Sequence, residues 1–305
     1  MAEVGAANVR PNTFLVGAMK SGTTYLAALM SEHPQVFFAD PKEPSYFVAP
    51  EQLRQVYPWM WKQGIWRSEN RYLDLFAAAG DAPIVAEGST NYTKLPRVTG
   101  VAERLHRFDP DCRIIYLMRD PVERSISHYW FAVRFEGEGR DLATAIREND
   151  LLQSVSDYAS QLEPYFALFD RERIKCLTFE ALRDNPRHTL AELWTWLGVD
   201  PTFEPASMGV ARNVAPPELE QVTRLRRVLR ESAVYGRLKR FVPSTALDLA
   251  RRVTTRSVSK NSMEREDVVR YLRARQLEQV SRLEALLGRR FPEWTTLHEG
   301  GGVPQ

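Results

Sequence analysis

One segment, Phe14-Leu15-Val16-Gly17-Ala18-Met19-Lys20-Ser21-Gly22-Thr23-Thr24, narrows the folds open to this chain more than any other. An apolar run enters a turn of small residues and leaves as a helix that begins near Thr23, with Leu26, Leu29 and Met30 as its inward stripe. Backbone N–H groups at such a helix start point at one spot, and the helix dipole favours negative charge there. The segment reads as strand, phosphate-binding loop and helix, with Lys20, Ser21, Gly22, Thr23 and Thr24 as the candidate ligands. Gly17 and Gly22 keep the G-x4-G spacing of nucleoside triphosphatases, but Thr23 stands where their lysine is expected, and Lys20 sits inside the loop. From there a lysine can meet the charge that develops on a leaving phosphate. A Gly-Thr-Thr helix cap that holds no ligand has the same local sequence.

Further apolar runs at Ile84 to Glu87, Arg113 to Met118 and Ile174 to Phe179 are each followed by a helix-like stretch. Strands alternating with helices predict an α/β fold, a single domain whose central parallel β-sheet is flanked by helices. The domain is expected to span 12–305, with its core at about 12–213. The run Arg113 to Met118 delivers Arg119 to the C-terminal edge of the sheet, where open α/β folds bind ligands. Asp120-Pro121-Val122-Glu123 then starts a helix, with Asp as N-cap and Pro at N1, expected to run to about Phe135. Arg124 and Ser127 are three residues apart and share a face, and Arg119 and Ser127 can converge on a second anion. The alternative for Arg119 is a pairing with Asp120.

From about 218 to 290 the alternation gives way to a helical, Arg-rich subregion. Eleven Lys or Arg fall between Val222 and Lys260, against Glu231 and Asp248 alone. This is either a solvated helix face or a basic wall over an anionic ligand. Val280, Leu283 and Leu287 mark one face of a final helix, and Trp294 is expected to pin the following segment to the body.

Composition excludes other classes. The 305 residues are 44% hydrophobic and 26% charged, as in a folded globular protein, and the net charge of +2 argues against nucleic acid as a partner. No run of about 18 apolar residues predicts a membrane span, and Met1 to Arg10 lack the pattern of a secretory signal, so the expectation is a cytoplasmic enzyme. Cys112 and Cys176 lie beside or within apolar runs and read as free buried thiols, with no metal site. The 34 arginines against 7 lysines match the bias of a GC-rich bacterial genome.

Lys20-Ser21-Gly22-Thr23-Thr24 after the first strand, together with Arg119-Asp-Pro-Val-Glu-Arg-Ser-Ile-Ser-His-Tyr129, resembles the sulfotransferase family that uses 3'-phosphoadenosine-5'-phosphosulfate (PAPS). Ile174 to Pro186 is similar to a later segment of the same family, and the resemblance extends from Asn12 to about Asn213. It implies that Lys20 to Thr24 hold the 5' end of PAPS, that Arg119 and Ser127 hold its 3'-phosphate, and that Arg212 assists. The product would be 3'-phosphoadenosine-5'-phosphate (PAP), with no metal required.

Sulfo transfer to a hydroxyl also needs a base opposite the leaving phosphate. Asp40-Pro-Lys-Glu-Pro-Ser-Tyr-Phe47 resembles a segment of the heparan-type and related bacterial branch, which implies Glu43 as that base. Two departures, Ser45 where a histidine often stands and no lysine before Thr90, count against a heparan-like acceptor. His33 and His128 are alternative bases. Tyr46, Phe47, Tyr57, Trp59, Trp61, Trp66 and Tyr92 form either an apolar acceptor pocket or the core beneath an insertion; Glu43, Tyr46, Phe47 and Tyr92 are the candidate acceptor contacts. The expected acceptor is a small or medium-sized hydroxyl compound: a glycan, a lipid or a natural product. The competing readings are a nucleotide-dependent kinase or hydrolase with a variant P-loop, whose metal ligands would be Asp120 or Glu87, and an inactive nucleotide-binding scaffold.

Overall fold

Every residue of Thr13–Gly17 (β1) and Ile84–Gly88 (β3) is buried, as are all but the first of Arg113–Met118 (β4). Strands buried on both faces belong to the middle of a parallel sheet. A computed structural model describes residues 9–210, 219–222, 255–258 and 262–298 and bears this out. With Val36–Phe38 (β2) and Ile174–Thr178 (β5), these strands form a parallel sheet in the order β2-β3-β1-β4-β5. β2 is the one strand of this sheet that the sequence reading does not anticipate; three residues carry too little pattern.

Side-chain alternation splits the core between the two faces. Phe14, Val16, Ile114, Tyr116 and Met118 point to one face, with Leu105, Ile126 and Leu162. Leu15, Ile84, Ala86, Ile115 and Leu117 point to the other, with Leu26, Leu29, Leu190 and Trp194. On the second face lie Thr23–Glu32 (α1) and the later helix Pro186–Leu197. The chain leaves β1 towards β2 on one side and leaves β4 towards β5 on the other. The strand order therefore reverses between β1 and β4, which opens a crevice at their C-terminal ends.

Between β2 and β3 run Pro50–Val56 (α2), Pro58–Gln63 (α3) and Glu69–Leu73 (α4), and Val101–Phe108 (α5) follows β3. After β4, Pro121–Phe131 (α6) starts as expected: Asp120 Oδ1 accepts from Val122 N at 3.0 Å and Glu123 N at 3.2 Å. The α-helix stops at Phe131 rather than near Phe135, because the path widens into a π-helical turn over Ala132–Glu136 that Gly137 ends in the left-handed region. Leu142–Glu148 (α7), Asp150–Ser154 (α8) and Tyr158–Phe166 (α9) follow; Phe179–Asp184 (α10) and Pro186–Leu197 (α11) come after β5.

Within 218–260, expected to be helical, the described residues are two short antiparallel strands, Leu219–Val222 (β6) and Thr255–Val258 (β7). Runs of four residues carry too little periodicity to set a strand apart from a helix. Most of the basic cluster lies outside the described residues. Ser262–Leu287 (α12) buries Val268, Leu272, Val280 and Leu283, and beyond it Phe291 and Trp294 stack 4.1 Å apart on the body near Tyr158. Both cysteines are free thiols; burial pushes that of Cys176 up to about 12.

Candidate functional site

The loop after β1 is built for close approach. A Cβ on Gly17 would lie 2.1 Å from Thr93 Oγ1 and 2.6 Å from the Tyr116 ring, so only glycine fits there. Gly22, at φ 93°, forms the N-cap of α1 without any side-chain cap. The first amides of α1 are thus left for a ligand. Ser21 Oγ is buried with no hydrogen-bond partner among the described residues. Lys20, itself in the left-handed region at φ 71°, sets its ammonium 5.0 Å from the centre of the Phe131 ring. Burial, then the neighbouring Arg119, Arg124 and Arg134, hold its pKa below the ordinary value. Four cations around an uncapped helix start and an unsatisfied hydroxyl fit a phosphorylated ligand of several negative charges.

β4 delivers Arg119 to the other lip of the crevice. Its guanidinium lies 5.3 Å from the Phe179 ring centre and 3.8 Å from Glu123, so the alternative pairing with Asp120 is not formed. Asp120 is spent as the cap of α6, and its second oxygen accepts from Leu297 N at 2.9 Å. Thr296 Oγ1 donates to Glu123 at 3.0 Å beside it. Ser127 is half-buried on α6. Arg124, expected on the Ser127 face, turns inward and is fully buried. It donates to Ser156 Oγ, Leu152 O and, at 3.4 Å, Met19 O, which fastens the loop after β1 to α6 and α8.

Glu43 arrives on the segment after β2, which is laid along the end of β3: Ala39 N donates to Ala86 O at 2.8 Å and Glu43 N to Gly88 O at 2.8 Å. Its carboxylate accepts from Thr90 N at 2.7 Å and from Lys42 Nζ at 2.7 Å. Lys42 Nζ also reaches Thr23 Oγ1, at 3.3 Å, in the first turn of α1. The candidate base and the loop after β1 are therefore joined through one ammonium group. The sequence reading misses Lys42, because an exposed Lys-Glu pair in a Pro-rich loop has the same signature.

A second group, singled out from sequence only as a metal ligand of the kinase reading, lies beneath. Glu87 is fully buried and accepts from Tyr92 Oη at 2.6 Å, Tyr72 Oη at 3.1 Å and Ser89 Oγ at 2.9 Å. Desolvation outweighs these three donors and raises its pKa to about 7. Ser89 Oγ in turn accepts from Ser45 N at 3.0 Å, and Tyr92 Oη from Phe47 N at 3.4 Å, so Glu87 holds, through its partners, the segment that follows Glu43. Lys94, also buried, contacts Tyr57 Oη and Met19 Sδ, and burial lowers its pKa to about 8.

The aromatic residues divide. Phe47 and Tyr92, expected at the acceptor, are each 3% exposed and belong to the core: Phe47 packs on Phe14, Tyr72 and Phe108, while the Tyr92 hydroxyl is taken by Glu87. Tyr46 stays half-buried, stacked on Tyr72 at 4.2 Å. Neither alternative histidine is placed as a base. His33 Nε2 meets Asp200 O and its Nδ1 accepts from Gln35 N, while His128 is buried against Arg124, with its pKa driven well down by burial and that guanidinium. Arg212 lies outside the described residues. Asp120 and Glu87, the metal ligands of the kinase reading, are occupied by backbone amides and by hydroxyls. No described helix is long and apolar enough to cross a membrane.

The family model described as the sulfotransferase family matches residues 11–205. The membrane-associated sulfotransferase kil1 of Dictyostelium discoideum is 30% identical over 126 residues, 41% of this chain and 24% of that protein. Carbohydrate sulfotransferase 15 of Mus musculus is 24% identical over 260 residues, covering 64% of this chain and 45% of that protein. The chain thus spans less than half the length of these curated relatives. The crystal structure of a sulfotransferase from Alicyclobacillus acidocaldarius superimposes with a TM-score of 0.67 at 24% identity, over 94% of this chain and 99% of that one, a likeness of fold.

Proposed function

Given that the chain belongs to the sulfotransferase family, we propose that it transfers a sulfo group from PAPS to a hydroxyl of a small or medium-sized acceptor. The acceptor is a glycan, a lipid or a natural product, and the name of the mouse relative favours a carbohydrate. PAPS supplies an activated sulfo group whose leaving group is a phosphate. Lys20, Ser21, Gly22, Thr23 and Thr24 receive the 5' end at the start of α1; Lys20 neutralises charge on the departing phosphate. Arg119 and Ser127, across the crevice, receive the 3'-phosphate, with Arg212 assisting. Glu43 takes the proton of the attacking hydroxyl and Tyr46 lines the acceptor side. The acceptor oxygen–sulfur bond forms as the sulfur–phosphate oxygen bond breaks, with its electron pair going to PAP.

The observation that carries this reading is the position of Lys42 Nζ, 2.7 Å from Glu43 and 3.3 Å from Thr23, which puts a carboxylate beside the anion-binding end of α1. Calorimetric titration with PAP, ADP and ATP, with and without magnesium, tests it. Tight, magnesium-independent binding that needs the 3'-phosphate is expected. Preference for magnesium-ATP refutes it.

A further inference from the structure

Lys42 and Glu43 are neighbours in sequence, and in extended backbone their side chains would point to opposite sides. Glu43 instead adopts φ 70°, in the left-handed region that non-glycine residues avoid, and Ser45 follows at 53°. Strain of this kind persists where the surroundings enforce it: the Glu43 amide is held by Gly88 O and its carboxylate by Thr90. The result is that both side chains face the same place. Gly88 makes room for the lysine stem, since a Cβ there would approach Lys42 Cε to 3.3 Å and Phe38 to 3.0 Å. Lys42 and Glu43 side chains are 19% and 20% exposed, neither in bulk water nor sealed from it.

A carboxylate oxygen tied to an ammonium at 2.7 Å has its charge met by that cation and one of its lone pairs taken. The same ammonium stands 3.3 Å from Thr23 Oγ1, on the uncapped helix start where the donor's anion would lie. We propose that Lys42 is a donor-responsive counter-ion: it neutralises Glu43 while the α1 terminus is free and is drawn onto the phosphosulfate when the donor binds, which releases Glu43 to accept a proton. This rests on the donor assignment above and adds to it an interlock, in which the base is freed of its counter-ion only once there is a sulfo group to transfer. Lys42 acts here both as a donor ligand and, through Glu43, as a positioning residue.

The test is a double-mutant cycle on PAP affinity by calorimetry, with Lys42→Met, Glu43→Gln and the pair. Lys42→Met should raise the PAP Kd at least about tenfold, the worth of a hydrogen bond to a charged group. Glu43→Gln should lower Kd about fivefold where Lys42 is present, because the lysine no longer has to be shared, and less than about twofold once Lys42→Met has been introduced. Lys42→Arg should restore affinity to within about threefold of wild type. An unchanged Kd in Lys42→Met, or equal Glu43→Gln effects in both backgrounds, overturns the interlock while leaving the donor site intact. A wild-type protein that ignores PAP refutes the functional reading itself. Should Lys42→Met fail to fold, Lys42→Gln replaces it.

Discussion

Glu87→Gln offers a quantitative check on the network beneath the candidate base. A carboxyl whose ordinary pKa is 4.5 stands at about 7 in the fold, because full burial costs its charged form more than Tyr92, Ser89 and Tyr72 return. Between those two values the folded protein holds a proton that the unfolded chain has lost. Stability therefore falls as pH rises through this window, and the whole penalty is present above it. At about 1.4 kcal/mol per pH unit the gap amounts to about 3 kcal/mol. Glutamine keeps the shape and cannot ionise, so the variant carries no such penalty. Urea unfolding from pH 4 to pH 8, read as the difference between variant and wild type at each pH, removes contributions common to both, such as the raised pKa values of Asp120 and Glu180. The variant should gain about 3 kcal/mol on wild type across that range, whatever constant offset its altered hydrogen bonds introduce. A difference that stays flat from pH 4 to pH 8 refutes the argument, since Glu87 would then be charged or neutral at the same pH in both states.

Other expectations follow from the crevice. Lys20→Ala should slow PAP release from PAPS by about a hundredfold, with water or an added hydroxyl compound as acceptor; near-normal release would show that Lys20 does not face the leaving phosphate. Glu43→Gln should abolish transfer without weakening PAP binding, and a variant that still transfers removes Glu43 as base. Arg119→Ala should raise the PAP Kd about tenfold or more and leave ADP binding nearly unchanged, so that competition between the two nucleotides reports directly on the 3'-phosphate assignment.

The parts of this molecule that could be read from sequence are those in which a local pattern and a tertiary role coincide. The apolar run of β1, the small-residue turn and the stripe of α1 state one geometry at three levels, as do Asp120 and Pro121 at the start of α6. Arg124 was legible only as a helical position; whether its side chain turned outward to a ligand or inward to Ser156 and Met19 depended on α8, which the local sequence does not specify. Phe47 and Tyr92 show the same limit, because aromatic density is equally a sign of pocket or core, and here the rings met Phe14 and Glu87. The left-handed turn at Glu43 and Ser45 carries no glycine or asparagine to announce it. Lys42 matters through Thr23, on another element, and Glu87 through the turn around Ser45 that its own partners hold. Contacts of that kind leave no periodic trace in a sequence.

The bond from Leu297 N to Asp120, 177 residues apart, bears on how the site comes into being. During synthesis the first strands and the loop after β1 leave the ribosome early, yet the lip of the crevice that presents Arg119 lacks part of its support until Leu297 has emerged. The two halves of the crevice are thus completed at widely separated moments, and a nascent chain would assemble the whole crevice only after that late residue has docked.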